Sequence, residues 1–94
     1  VDPVAIPEIA RFQGIVITMY HSDPERHPVA HFHARYGEYR ASFAIDPPVL
    51  LAGVMPRRQL QMILGWAELR NAELQQNWRK LLEQEIPIRI DGLR

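Results

Sequence analysis

His31 and His33 occupy alternate positions in the stretch HFHARYGEY, with Arg35 two residues on and Arg40 just past its end. Imidazole titrates near neutrality, with an ordinary pKa of about 6.5. A histidine pair beside arginines can therefore serve as general base and general acid on a phosphodiester while guanidinium groups stabilise the developing negative charge. That is the chemistry of a small metal-independent ribonuclease with His31 and His33 as its catalytic candidates. The same two residues, joined by His21 and His27 from the preceding segment, could instead collect imidazoles around a divalent metal ion. A third use needs no catalysis: Arg35, Arg40, Arg57 and Arg58 form a candidate anion-binding set. No established zinc spacing, glycine-rich phosphate loop, paired-carboxylate arrangement or serine-nucleophile elbow accompanies these residues. No cofactor is expected, and the residue types fit both an enzyme and a binding module.

The elements that must carry these groups can be read outward from Gly37. With Gly37 and Glu38 as the central residues of a two-residue turn, glycine supplies the positive φ that a type II′ hairpin needs at its first position. Tyr36 then opposes Tyr39, Arg35 opposes Arg40, Ala34 opposes Ala41, His33 opposes Ser42 and Phe32 opposes Phe43. Alternation gives the same division independently. Phe32, Ala34, Tyr36, Tyr39, Ala41, Phe43 and Ile45 share an apolar face, whereas His31, His33, Arg35, Arg40 and Ser42 share a polar one. Arg35 facing Arg40 is a like-charge pair, expected to cost up to about 1 kcal/mol unless an acid or an anion lies between. Glu38, the helical Glu68, a partner's carboxylate and a nucleic-acid phosphate are the candidates. Arg57 and Arg58 begin a helix, where the dipole favours acids instead.

Before the hairpin, GIVITMY (residues 14–20) is rich in β-branched residues, with Ile15, Ile17 and Met19 on one face and Val16, Thr18 and Tyr20 on the other. Apolar groups on both faces predict a central strand. Residues 21–28, with two prolines, read as a loop. After it, Asp46-Pro47-Pro48 ends a strand, residues 49–55 predict a further short strand with Gly53 at a bulge or bend, and Pro56 suits a helix start. Leu60, Ile63, Leu64, Ala67, Leu74, Trp78, Leu81 and Leu82 then recur at helical spacing up to about Glu85. A straight helix of that length would run about 45 Å at 1.5 Å per residue, so a bend or break is expected near Asn71. Met62, Trp66 and Leu69 add a second apolar flank to the first half, where Gly65 suggests close backbone packing. Residues 86–94 alternate as an extended tail or an added edge strand, and residues 1–5 are expected to be disordered. The fold class is α+β: a small antiparallel sheet of three to four strands against a long C-terminal helix, in one domain over residues 1–94.

Composition narrows the classes. Apolar residues make up 47% and charged residues 23% of the 94, ordinary globular usage rather than the signature of disorder. Eleven basic and eleven acidic residues cancel, so any nucleic-acid surface must be local. The absence of cysteine removes disulfides, thiolate metal sites and a cysteine nucleophile. No apolar run approaches the roughly 20 residues of a membrane span, and no membrane partner is expected. A cytoplasmic location follows as the expectation. Trp66, Trp78, Tyr36, Tyr39 and Phe43 fit core or interface anchors better than a base-stacking platform.

The segments PEIARFQGIVITMY, HFHARYGEYRA and MPRRQLQMILGWAELRNAELQQNW, in this order and spacing, resemble the bacterial family catalogued as domain of unknown function 4160. The resemblance runs from about Pro7 to Trp78. It implies a strand-rich first half followed by a helical half, and a small protein encoded beside another small gene, hence a toxin–antitoxin-like pairing. A proline commonly precedes the HFH in that pattern, whereas here Val29 and Ala30 intervene after Pro28. The leading expectation is a bacterial interaction module with a protein partner or a second copy of itself, an exposed edge or helix face for that partner, and a His/Arg face for an anion or nucleic acid.

Overall fold

A computed structural model describes residues 7–20 and 29–93. It is α+β, with strands β1 (Glu8–Phe12), β2 (Ile15–Thr18), β3 (His31–Tyr36), β4 (Tyr39–Ala44) and β5 (Val49–Gly53), then helices α1 (Arg57–Leu69) and α2 (Asn71–Leu82). The strands form one five-stranded antiparallel sheet in which each lies beside its neighbour in sequence. Two expectations are corrected: there are five strands rather than three to four, and two helices rather than one long one.

The β3–β4 hairpin takes the register expected from its turn, with Tyr36 opposite Tyr39, Arg35 opposite Arg40 and His33 opposite Ser42. Gly37 has φ +57° and Glu38 does not share the positive sign, as a type II′ turn requires. Phe32, Ala34, Ala41, Phe43 and Ile45 are all at most 5% exposed, while Tyr39 at the hairpin tip is 45% exposed. β2 is central as expected, and β1 joins it through Gln13 and Gly14, both at positive φ. A register shift between Glu8 and Ala10 breaks the alternation of β1. That irregularity hides the strand from a period-two reading.

The helices cover one face of the sheet. Trp66, Ile63, Ala67 and Leu74 are fully buried, and the Trp66 ring lies 5.3 Å from Phe12 and 5.8 Å from Phe32. The helical run breaks at Arg70 (φ −106°, ψ 24°), one residue before the expected Asn71. The break is anchored by Asn71 itself, whose Nδ2 donates to Ile45 O at 2.6 Å and to Ala67 O at 3.2 Å. Leu69 and Leu82 depart from the expected apolar stripe, at 68% and 53% exposure. Gly65 also departs from expectation: it is exposed and a Cβ there would meet nothing within 4 Å.

The tail after α2 is not an added edge strand. Its one backbone bond to the sheet runs from Ile90 N to Ile9 O at 2.7 Å. Side chains hold the rest. Buried Asn77 accepts from Ile88 N at 2.8 Å and donates to Ile88 O at 2.7 Å, and Trp66 Nε1 donates to Asp91 O at 2.7 Å. These bonds lay the tail against β1 and bury Ile90 to 4% exposure. Residues 1–5 and residues 21–28, expected as a loop and carrying His21 and His27, lie outside the described residues. Among the described residues, no helix is long and apolar enough to cross a membrane.

Candidate anion-binding face

Among the described residues, no helix or strand covers the sheet face opposite the helices. Register across the strands builds it in rows. Glu8, Thr18, His33, Ser42 and Ala52 lie side by side in one; Arg11, Val16, Arg35 and Arg40 lie in the next. Between them is a concavity of about 520 Å³ lined by Glu8, Thr18, Tyr20, His33, Arg35 and Arg40 among others. That volume falls in the range of small-ligand sites, about 300–1,000 Å³.

Among the described residues, one acid lines this concavity, and its charge is already paired. Glu8 pairs with Arg11 at 2.7 Å and with Arg89 at 2.9 Å. The hydrogen bonds from Arg11 and then Arg89 lower its carboxyl from an ordinary 4.5 to about 2. Arg35 and Arg40 receive nothing comparable. The ion pairs among the described residues are those of Glu8, Arg70 with Glu73 and Lys80 with Glu85. Neither Glu38 nor Glu68 forms an ion pair with the facing guanidinium groups. Two exposed cations face each other across β3 and β4, and no described carboxylate forms an ion pair with either.

The histidines sit deeper than the arginines. His31 Nδ1 lies 2.7 Å from Val29 O; a carbonyl only accepts, so Nδ1–H is the donor. His33 stacks on Tyr20 with centroids 4.5 Å apart and planes 7° from parallel, and its Nε2 is 3.3 Å from Tyr20 Oη. His33 Nδ1 is buried with no hydrogen-bond partner. Burial, and secondarily the neighbouring His31, push the His33 pKa below its ordinary value. The column continues: His31 meets His33 edge-on at 5.1 Å and tilts over Trp78 at 5.1 Å. Sequence reasoning placed Trp78 in the core stripe and Tyr20 on the outer face of β2, but had no register between β2 and β3 with which to join them.

This geometry bears unequally on the expected chemistries. A base and an acid must each reach substrate with a nitrogen. His33 has one nitrogen against Tyr20 and the other buried. Its ring is stacked on Tyr20 and met edge-on by His31, an arrangement of support rather than one that splays two imidazoles around a substrate. No group of three histidine, aspartate or glutamate side chains suited to a metal ion occurs among the described residues. Arg57 and Arg58 are exposed on the first turn of α1, with no acid beside them in that turn, and do not line the concavity. The structure therefore brings Arg35 and Arg40 together and leaves Arg57 and Arg58 outside their site. Glu8, Arg11 and Arg89 were not expected here, because β1 was not legible as a strand and the tail gave no contact to it.

A family model described as Domain of unknown function (DUF4160) matches residues 14–79. The chain belongs to that family. The matched region begins at the turn before β2 and ends within α2, so it contains Tyr20, His31, His33, Arg35, Arg40 and Trp78 but not Glu8, Arg11 or Arg89. No curated protein and no solved structure is matched.

Proposed function

We propose that this DUF4160 protein is a binding module for phosphate-bearing ligands, with single-stranded nucleic acid as the ligand class. The observation that carries the reading is the Arg35–Arg40 pair, facing across the open sheet face with no ion pair to any acid among the described residues. A phosphate between the two guanidinium groups turns a repulsive pair into a charge-assisted clamp. Beside the clamp, Tyr20 stacked on His33 offers a rigid aromatic group within the same concavity. An antiparallel sheet with helices on one face and aromatic and basic side chains on the other is a physical solution for holding unpaired bases and their backbone. The toxin–antitoxin-like pairing is the finer reading and rests on the family resemblance; in such a pair this face would meet RNA or the acidic groups of the partner.

The test is binding of a short single-stranded RNA by fluorescence anisotropy as salt is varied. If both arginines contact phosphates, replacing them by glutamine should flatten the slope of log K against log salt by about 1.4, since each contact on a single strand contributes about 0.7. An unchanged slope would remove the clamp.

A further inference from the structure

The two edges of the sheet are treated differently. β1 is covered by the tail, which donates Ile90 N to Ile9 O and brings Arg89 to Glu8. A Cβ on Gly92 would come within 2.7 Å of Phe12 Cβ, so the tail is pressed close against that strand. Among the described residues, β5 has no such cover. All five of its residues are exposed, with Val49 at 48%, Leu50 at 38% and Leu51 at 47%, and Val54 just beyond is 66% exposed. Its outer backbone groups have no partner among the described residues. From Pro47 to Pro56 the chain carries no charged residue. Exposed edges are commonly protected by lysine, proline, an inward charge or a bulge; β5 carries no lysine, proline or charge, and its one irregularity is the register shift that leaves Leu51 unpaired with β4.

The geometry points to β5 as the contact by which two copies of this chain pair edge to edge, antiparallel, about a two-fold axis. Unpaired N–H and C=O groups in an extended row specify an extended strand as the occupant. The uncharged sequence then favours another β5. Two identical strands that bear charge repel when they meet, whereas these do not, and they present no charge pattern for a strand of different composition to complement. Pro47 and Pro48 on one side and Pro56 on the other limit the pairing strand to the length β5 itself supplies. Closure follows as well. A two-fold contact uses both β5 edges, and the tail blocks both β1 edges, so assembly stops at two copies instead of growing into a fibre. The concavity on the open face already reaches Ala52 and Gly53, so the pairing would place two such faces on one continuous sheet.

The test is the mass of the purified full chain by analytical ultracentrifugation over a dilution series, with two variants in parallel. Leu51→Lys places a charge on the exposed edge and should convert a dimer to a monomer with an unchanged circular dichroism spectrum. Ile86→Lys alters a more exposed apolar residue on the tail, 85% accessible, and should leave the dimer intact. Hydrogen exchange should show the β5 amides protected in the parent and unprotected in Leu51→Lys. A parent chain that is monomeric throughout the series would overturn the proposal. So would a dimer that survives Leu51→Lys, or one that Ile86→Lys dissolves.

Discussion

The Arg35–Arg40 pair makes a prediction whose sign differs from that of most substitutions: in the free protein, removing one arginine should stabilise the fold. Facing residues on neighbouring antiparallel strands have Cα atoms about 5 Å apart. Two unit charges at about 5 Å repel by about 0.8 kcal/mol in a water-like dielectric, and a screening length of about 10 Å at 0.1 M salt reduces this to about 0.5 kcal/mol. Both guanidinium groups are exposed, so the water-like value applies. Arg35→Gln, Arg40→Gln and the double variant together form a cycle that isolates the repulsion from changes in strand propensity. Urea denaturation should give a repulsive coupling near 0.5 kcal/mol at 0.1 M sodium chloride, fading toward zero at 1 M, where the screening length is about 3 Å. For a domain of this size, 0.5 kcal/mol is worth about 2–4 °C in Tm. Inorganic phosphate should stabilise the parent and leave the double variant unmoved. A coupling that is zero or attractive at low salt would show that the guanidinium groups avoid each other or find an acid, and the reasoning would fail.

Four further outcomes follow from particular contacts. Gly53 has φ +90° and a Cβ there would lie 2.2 Å from Arg40 O, so Gly53→Ala should destabilise by at least about 1–3 kcal/mol in chemical denaturation and disturb the β4–β5 pairing. Asn77→Ala leaves Ile88 N and O without their partners; a loss of about 1–3 kcal/mol is expected, with faster exchange at the Ile90 amide and the Trp66 indole. Because the folded His33 pKa lies below its ordinary 6.5, the unfolded chain binds protons first as pH falls. Its contribution should be fully present above about 6.5 and decline as pH drops from there through the folded value, and His33→Gln should flatten that part of the stability profile. The Glu8 contribution should fall away separately, between 4.5 and about 2.

How much of this was legible in the sequence depended on where periodicity and turn chemistry agreed. In β3 and β4, the Gly37–Glu38 turn and the alternation fix the same register, and every cross-strand partner followed. In β1, buried Ile9 and Ala10 are adjacent and a register irregularity separates them from Glu8, so EIARF carries no clean period. Missing that strand meant missing Glu8 and Arg11, and with them the reason the acid lining the concavity does not serve Arg35 or Arg40. The break between α1 and α2 was legible from helix length, because a small core cannot use a straight rod; its place depends on a tertiary bond from Asn71 to Ile45, which no local pattern reports. The Tyr20–His33–His31–Trp78 column was illegible for the same kind of reason. Its members lie on β3, on α2 and just beyond the end of β2, and the relative placement of these is set by packing.

The central claim is that the open sheet face, and not the helices, receives a phosphate-bearing strand. Amide and side-chain NMR during titration with a short single-stranded RNA tests this most directly. The account predicts shifts clustered at Thr18, Tyr20, His33, Arg35, Arg40 and Ser42 that vanish in the double arginine variant. Shifts confined to α1 and α2, or none as RNA is raised to saturating excess, would contradict it.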